Sequence, residues 1–320
     1  MQTQPEFLNL RRHLEQVIVG QSRLLDRLMI ALLTGGHILL ESAPGLAKTT
    51  AVKALAGGVH ASFRRVQFTP DLMPADITGS DIFNPTAGDF RFAKGPLFNE
   101  IILADEINRA PPKVQSALLE AMEERQVTIS GQSHALPDLF IVMATQNPLE
   151  QAGTYPLPEA QLDRFLLHTI IDYPDEEQEL EILERAQQSH FGEDKPKLDT
   201  RLTPETVLKA RREVAEVHIE GVLKRYAVSI VHATRELGTW LPEWHDAIRF
   251  GASPRATLAM VRAASAHAYL QGRDYVLPDD LIEVAGDVLR HRIIPTFNAK
   301  AKQLDTDELI KGILDTIPIP

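Results

Sequence analysis

Cysteine is absent from this chain of 320 residues. Its absence excludes disulfide bonds, thiolate zinc sites, iron–sulfur ligation and cysteine nucleophiles, and it fits a reducing compartment. Long hydrophobic runs are missing too: the longest, 28–33 and 139–144, have about six residues, far below the ~18 that a membrane span requires. Residues 1–16 carry charges within an apolar pattern and lack the uncharged core of a signal peptide. We therefore expect a cytoplasmic protein with no membrane insertion.

Positive charge is scarce, since 33 Lys and Arg stand against 44 Asp and Glu and give a formal net charge of −11. The overall field would repel polyanions such as nucleic acid. The sequence also lacks the aromatic and basic clusters that single-strand binding needs. These features disfavour a DNA helicase or loader, and we expect no nucleic-acid partner. The metal-hydrolase pattern H-E-x-x-H and the serine-hydrolase pattern G-x-S-x-G do not occur either.

Short apolar runs alternate with helical stretches in the first half of the chain, and a hydrophobic content of 44% is enough for sizeable cores. This alternation is typical of α/β structure, a mostly parallel sheet with helices on its faces. The candidate strands are 37–41, 64–68, 101–104, 140–144 and 166–171. After Asp172 the β-branched runs disappear and helix signals dominate. We therefore predict an α/β domain over 1–172, the N-terminal helix included, and a smaller all-α domain over 173–320.

A strand, a tight loop and a helix start follow one another between His37 and Thr49. This is the context of a phosphate-binding loop, in which Lys48 would neutralise the β- and γ-phosphates and Thr49 would offer its hydroxyl to Mg²⁺. Ser42 and Ala47 stand where the pattern G-x-x-x-x-G-K-[ST] has glycine, and serine adopts a positive φ poorly. The alternative is an ordinary strand-to-helix turn with a solvated lysine.

Polar side chains end two further predicted strands. Asp105 could hold the Mg²⁺ shell, and Glu106 could polarise a water for attack on the γ-phosphate. Asn147 follows the next strand and could touch that water or the phosphate. Ligands bind at the carboxyl ends of the strands in open α/β sheets, which favours these roles over solvated turn residues.

Two arginines are candidates for contacts with phosphate. Arg164 would lie near the C-terminal end of a short helix, where the helix dipole alone explains a cation. Arg255 follows Ser253-Pro254, an N-cap and first helical residue, so it would stand in a first turn where a cation is disfavoured. This placement suggests an external anion such as a nucleotide phosphate.

Together these segments resemble the AAA+ ATPases, and the run from Leu40 to Phe165 is similar to the MoxR group in particular. The resemblance extends from residues 19–21 into the C-terminal part. The segments that carry it are Pro44-Gly-Leu-Ala-Lys-Thr49, Leu103-Ala-Asp-Glu-Ile-Asn-Arg-Ala-Pro-Pro-Lys113, Ala144-Thr-Gln-Asn-Pro148, Leu162-Asp-Arg-Phe165 and Gly251-Ala-Ser-Pro-Arg-Ala256. The resemblance implies a P-loop NTPase core with a five-stranded parallel sheet and a helical lid.

The resemblance also implies a role for each site residue. Lys48 and Thr49 would be Walker A residues, Asp105 and Glu106 the Walker B pair, Asn147 sensor 1, Arg164 an arginine finger for a neighbouring subunit, and Arg255 sensor 2. The residues implied to contact ATP or ADP are Val19, Gly20 and Gln21 beside the adenine, and Ala43, Pro44, Gly45, Leu46, Ala47, Lys48, Thr49 and Thr50. Thr49 and Asp105 would bind Mg²⁺.

For function, the resemblance implies a Mg²⁺-dependent ATPase that acts as a homo-oligomeric, hexameric ring to remodel, mature or assemble client proteins. Partners with von Willebrand factor A domains are expected on the same ground. The insertions at 69–79 and 126–136 would face the ring pore or the client, or they are surface decoration. The alternative is a nucleotide-switched assembly scaffold with little turnover, which the serine at position 42 leaves open.

Overall fold

The computed structural model describes residues 1–43, 45–46, 48–86, 88–148, 153–190 and 202–320. Their strands are β1 (Ile38–Glu41), β2 (Phe63–Gln67), β3 (Gly79–Asn84), β4 (Asp89–Lys94), β5 (Ile101–Asp105), β6 (Gln126–Ile129), β7 (Gln132–Ala135), β8 (Ile141–Gln146), β9 (Leu167–Ile170), β10 (Ile248–Phe250) and β11 (Ile294–Pro295). Their α-helices are α1 (Gln4–Val17), α2 (Ser22–Thr34), α3 (Lys48–Gly58), α4 (Pro74–Thr78), α5 (Pro112–Glu124), α6 (Glu159–Leu162), α7 (Glu176–His190), α8 (Pro204–Ala215), α9 (Gly221–Ala233), α10 (Leu237–Trp240), α11 (Pro254–Leu270), α12 (Pro278–Leu289), α13 (Phe297–Ala301) and α14 (Thr306–Thr316).

Five parallel strands form the central sheet in the order β2-β5-β8-β1-β9. The register places Ile38 of β1 opposite Met143 of β8 and Leu167 of β9. Strand β5 is buried along its whole length, which explains its unbroken apolar run, because both faces of a parallel sheet are covered. The predicted α/β class and five-stranded parallel sheet are confirmed, and each predicted strand corresponds to one strand of this sheet.

The two faces of the sheet are packed in two hydrophobic cores. Successive side chains of a strand point to opposite faces, so Leu40 lies in one core while Leu39 lies in the other. The core of Leu40 is shared with α1, α2, α3 and the helices beyond β9. The core of Leu39 is closed by α5, through Val114 and Leu118.

The helices beyond β9 pack on the N-terminal part of the chain. Helix α2 contacts both α8 and α11, and its Arg27 forms a buried ion pair with Asp287 of α12, with Nε 2.6 Å from Oδ2. The predicted helical character of this region is confirmed. Among the residues described beyond β9, the periodicity missed the short antiparallel pair of β10 with β11. The domain boundary at residue 172 stays a prediction.

The insertion 126–136 lies against the hairpin that follows the insertion 69–79. Residues 126–136 form the antiparallel hairpin β6–β7, and 69–79 lead through α4 into the hairpin β3–β4. Ser130 Oγ donates to Asp81 Oδ2 at 2.6 Å, and the rings of Phe92 and His134 stack with centroids 4.1 Å apart. Among the described helices, none has both the length and the hydropathy of a bilayer-spanning segment.

Candidate functional site

The loop after β1 has the conformation that its glycine requires. Gly45 has φ +89°, a left-handed conformation that glycine adopts without strain. Ser42 does not have a positive φ. It is buried, its N–H donates to the Gln146 carbonyl at 3.4 Å, and its hydroxyl donates to the Ala43 carbonyl at 2.8 Å. Serine in place of glycine therefore brings no backbone strain to this position.

Lys48 begins α3 and lies between the loop and two acids. Its Nζ donates to the Ser42 carbonyl at 3.3 Å. Burial lowers the pKa of Lys48, and the neighbouring carboxylates of Asp105 and Glu106 partly offset that effect. The ammonium group is thus within electrostatic reach of both predicted Walker B acids.

The remaining predicted loop residues surround the start of α3. Gly45 and Thr50 are exposed, while Ala43, Leu46 and Thr49 are half-buried. Pro44 and Ala47 lie outside the described residues. The N-terminal end of this helix of 11 residues carries unpaired N–H groups and the positive end of the helix dipole. Such an end can bind a phosphate.

Asp105, at the end of β5, is held from two sides. Thr145 Oγ1 on β8 donates to Oδ1 at 2.6 Å. Arg65 on β2 donates to Oδ2 from Nη2 at 2.6 Å and from Nε at 3.0 Å. The Asp105 side chain is only 12% exposed, so this carboxylate is fixed at the carboxyl edge of the sheet.

Glu106 follows in a left-handed conformation, with φ +57°. A non-glycine residue in this conformation costs of the order of 1–3 kcal/mol, and such residues cluster at functional sites. The backbone N–H of Glu106 donates to Thr145 Oγ1 at 2.9 Å. Its Oε2 accepts hydrogen bonds from Gln67 Nε2 at 2.6 Å and from Arg109 Nη1 at 2.8 Å. The surrounding contacts therefore hold the strained backbone and aim the side chain.

The donor set at this edge fits Mg²⁺. Asn147 directly follows β8 and is buried, and the carboxylate of Asp105 and the hydroxyl of Thr49 supply hard oxygen donors. Within the described ranges no group of three or more His, Cys, Asp or Glu could hold a metal on its own. Mg²⁺ often takes only one or two protein oxygens and completes its octahedron with water and phosphate oxygens.

The predicted adenine segment lies at the same edge. Gly20, with φ +70°, and Gln21 connect α1 to α2, and Gln21 Nε2 donates to the Asp172 carbonyl at 3.3 Å, just beyond the carboxyl end of β9. A Cβ on Gly20 would lie 2.7 Å from Gln178 Oε1, so α7 packs directly against it. Val19 precedes these two residues and is half-buried.

Arg164 and Arg255 lie at the opposite edge of the sheet. Arg164 precedes β9, and both arginines line a cavity of about 290 Å³ beside residues 35–37, which precede β1. Arg164 Nε is 2.7 Å from Glu123 Oε2, and Arg255 Nη2 is 3.0 Å from Glu123 Oε1. The structure thus brings the two predicted arginines together, and it does not bring them to the phosphate loop of their own chain.

Three more arginines line this cavity, and their contacts are structural. Arg125 Nη2 donates to the Gly35 carbonyl at 2.9 Å, and Arg262 donates to the Thr34 carbonyl. Both therefore cap the C-terminal end of α2, whose dipole favours cations. Arg292 Nε donates to Asp163 Oδ1 at 2.7 Å. Burial lowers the pKa of each of these arginines.

Sequence reasoning missed Arg65, Gln67 and Glu123. Arg65 and Gln67 lie on one face of β2, beside the acids, but the sequence does not reveal that β2 and β5 are neighbours. A signal for Glu123 was available: it lies in the last turn of a helix, where an acid is as unfavourable as Arg255 is in a first turn.

Comparison with known families gives two matches along the chain. Residues 37–167 match the model of the ATPase family associated with various cellular activities (AAA), and residues 244–313 match the AAA lid domain. The first range contains the loop, both acids, Asn147 and Arg164, and the second contains Arg255.

Individual relatives cover nearly the whole chain. The chain is 45% identical to Chaperone MoxR1 of Mycobacterium tuberculosis, over 96% of this chain and 80% of that protein. It is 31% identical to Protein MoxR of Methylorubrum extorquens, over 97% of this chain and 94% of that protein. A crystal structure of a protein from Cytophaga hutchinsonii classed as an ATPase is 44% identical and superposes with a TM-score of 0.91, covering 99% of this chain and 96% of that one.

Proposed function

The chain belongs to the MoxR family of AAA+ ATPases, and we propose that it hydrolyses ATP with Mg²⁺ at sites shared between the subunits of a homo-oligomeric ring. The observation that carries the proposal is the separation of two groups of residues. Lys48, Asp105 and Glu106 lie at the carboxyl edge of the sheet, whereas Arg164 and Arg255 lie at the other edge. A strand of four residues at about 3.3 Å per residue puts these edges about 13 Å apart. A chain would therefore complete its neighbour's site rather than its own.

At the carboxyl edge, each residue has a role in the proposed reaction. Lys48 and the N–H groups at the start of α3 bind the phosphates, and residues 19–21 lie beside the adenine. Both hydrogen bonds to the Glu106 side chain fall on Oε2, so we assign Oε1 to the attacking water, which Asn147 also contacts. Mg²⁺, held by Asp105 and Thr49, would supply charge neutralisation at the β- and γ-phosphates when bound.

At the opposite edge, Arg164 and Arg255 would stabilise the charge that develops on the γ-phosphate of the adjacent subunit. An arginine supplied in this way is worth about 10³ to 10⁵ in rate. An isolated subunit should therefore be nearly idle. Because the donating and accepting edges differ, the contact between subunits is head-to-tail, and such contacts close into rings when the rotation allows.

We further propose that the ring is hexameric and cytoplasmic, and that it remodels, matures or assembles client proteins with a partner that carries a von Willebrand factor A domain. The relative from M. tuberculosis is named a chaperone, which supports work on client proteins. The hairpin β3–β4 supports it as well, because Ile82, Phe83 and Phe90 are exposed there, Phe90 by 71%. Clustered apolar side chains on a folded surface mark interaction sites.

The proposal is tested by Mg²⁺-ATP hydrolysis per subunit as a function of protein concentration, with Lys48→Ala and Arg164→Ala beside the parent. We expect specific activity to rise with concentration, to vanish in Lys48→Ala and to fall at least about 10³-fold in Arg164→Ala. Turnover that is independent of both concentration and Arg164 would contradict a shared site. ATP-dependent assembly without phosphate release at any concentration would favour the nucleotide-switched scaffold instead.

A further inference from the structure

Glu123 occupies a place where its own helix disfavours a negative charge. It lies in the last turn of α5, and the C-terminal end of a helix carries a partial negative charge. A hydrogen bond from Arg255 and the charge of Arg164 nevertheless lower the pKa of Glu123 and keep it ionised. Contacts beyond the helix therefore account for a carboxylate at this position.

The contacts of Glu123 join two segments that are far apart in the chain. Arg164 lies between α6 and β9, and Arg255 lies in the first turn of α11. Each arginine takes one oxygen: Arg164 Nε is 2.7 Å from Oε2, and Arg255 Nη2 is 3.0 Å from Oε1. One carboxylate thus bridges both predicted phosphate-binding arginines.

Without this bridge the two guanidinium groups would repel each other, and each long side chain would sample several rotamers. A guanidinium has five N–H donors. One nitrogen of each arginine contacts Glu123, so N–H groups on the other nitrogens can still donate to a phosphate. The Glu123 carboxylate therefore lowers the free energy needed to bring both guanidinium groups to one phosphate. This is the effect of preorganisation on binding.

We infer that Glu123 is a positioning residue that holds Arg164 and Arg255 as one unit before the nucleotide of the adjacent subunit arrives. The inference rests on the proposed function, because it assigns Glu123 to the arginine half of the shared site.

A separate contact ties the two segments, so Glu123 can be changed without releasing them. Asp163 Oδ2 accepts from Ser253 Oγ at 3.2 Å, and Ser253 Oγ accepts from the backbone N–H of Arg255 at 3.2 Å. Asp163 Oδ1 also accepts from the buried Arg292 at 2.7 Å. Replacing Glu123 should therefore relax the two guanidinium groups and leave the backbone in place.

The first test is the ATPase activity of the full chain with Glu123→Gln, which keeps the size of the side chain and removes its charge. We expect kcat to fall about 10- to 100-fold, as a misplacement of about 1 Å at a reacting centre does. The ATP concentration at half-maximal rate should not change, because the variant's own phosphate loop is intact. Glu124→Gln is the matched control: it removes the same charge one residue along, from a side chain that has no ion pair with any described residue. It should keep the parent's kcat.

Mixing subunits then asks on which side of the interface Glu123 acts. A Lys48→Ala subunit has a defective phosphate loop, but its Arg164, Arg255 and Glu123 are intact. When it lies next to a Glu123→Gln subunit, whose phosphate loop is intact, its arginines should restore ATP hydrolysis at that loop. Random mixing in a head-to-tail ring makes about one interface in four intact, and we expect about a quarter of the parent rate. Mixing Glu123→Gln with Arg164→Ala should restore nothing.

An unchanged or raised kcat in Glu123→Gln would overturn the inference, and so would a loss that Lys48→Ala subunits do not restore. In the double variant Glu123→Gln/Arg255→Ala the combined loss of kcat should be smaller than the two single losses added together, because Glu123 then has only Arg164 to hold, and fully additive losses would also overturn the inference. If Arg164→Ala is idle while Glu123→Gln is normal, only the inference fails. If Arg164→Ala turns over like the parent, the proposed function itself fails.

Discussion

His37 makes the stability of the protein depend on pH, and the direction follows from its contacts. It directly precedes β1, lines the same cavity as Arg164 and Arg255, and is 5% exposed. The N–H of Val142 donates to Nδ1 at 2.9 Å, so Nε2 carries the proton and donates to the Met122 carbonyl at 3.2 Å. Burial and the charge of Arg125 lower the pKa of His37 to about 3. The folded state therefore requires this histidine to be neutral.

The magnitude follows from comparison with the unfolded chain, in which the pKa of a histidine is about 6.5. Between that value and about 3, the unfolded state binds a proton that the folded state does not. The stabilisation from neutral His37 is thus fully present above pH 6.5 and is lost as the pH falls toward 3. At pH 5.0 the loss is about 2 kcal/mol, since the pH is about 1.5 units below 6.5 and each unit corresponds to about 1.4 kcal/mol.

The assay is urea unfolding of the parent and of His37→Gln at pH 7.5 and pH 5.0. Other groups contribute to the fall in both proteins, so the difference between the two falls isolates His37. We expect the free energy of unfolding to drop by about 2 kcal/mol less in the variant than in the parent. Equal drops in the two proteins would refute the reasoning, because they would mean that His37 binds a proton equally well in both states.

Three further predictions concern the core, the metal and the loop. Asp287→Asn removes the carboxylate that is paired with the buried Arg27. The free energy of unfolding, measured with urea, should fall by about 3–5 kcal/mol. A fall of less than about 1 kcal/mol would show that this ion pair does not stabilise the fold. Arg65 competes with Mg²⁺ for Oδ2 of Asp105, so Arg65→Met should lower the Mg²⁺ concentration at half-maximal ATPase activity. The change should be only a few-fold, because a half-exposed ion pair is worth about 1 kcal/mol or less. A higher Mg²⁺ requirement would show that Arg65 assists the site. Gly45→Ala places a Cβ at φ +89°, where a side chain is strained even though no atom lies within 4 Å of it. The loop should leave this conformation when no nucleotide is bound, and ATP binding must then restore it, so the affinity in calorimetry should weaken by about 1 kcal/mol or more. Unchanged affinity would contradict the need for this conformation.

The sheet could be predicted from sequence because its strands are buried on both faces. The run from Ile101 to Asp105 is apolar until its acidic end, and this unbroken pattern fixes both the strand and the edge at which Asp105 emerges. The order of the strands could not be predicted in the same way. Sequence neighbours do not reveal that β2 lies beside β5, and the contact of Arg65 with Asp105 depends on that pairing.

Contacts between distant segments limited the prediction of the site. The position of Lys48 and Thr49 in a phosphate-binding loop could be predicted because the strand, the loop and the helix follow one another in the chain. The sequence shows that Glu123 is an acid in the last turn of α5, but it does not show its partners, because α11 brings Arg255 next to Arg164 only in the folded chain. The hydrogen bond between Asp163 and Ser253, 90 positions apart in sequence, is of the same kind.

The central claim is that one ATP site is built from two chains, and mixing Lys48→Ala with Arg255→Ala tests it most directly. Each variant alone should hydrolyse almost no ATP. Lys48→Ala lacks the lysine that binds the phosphates, and Arg255→Ala lacks an arginine that contacts the γ-phosphate of the adjacent subunit. In an equal mixture about one interface in four combines an intact loop with an intact arginine edge, so hydrolysis should return to about a quarter of the parent rate. A mixture as idle as its components would mean that both residues serve the same chain, and the account of a shared site would be wrong.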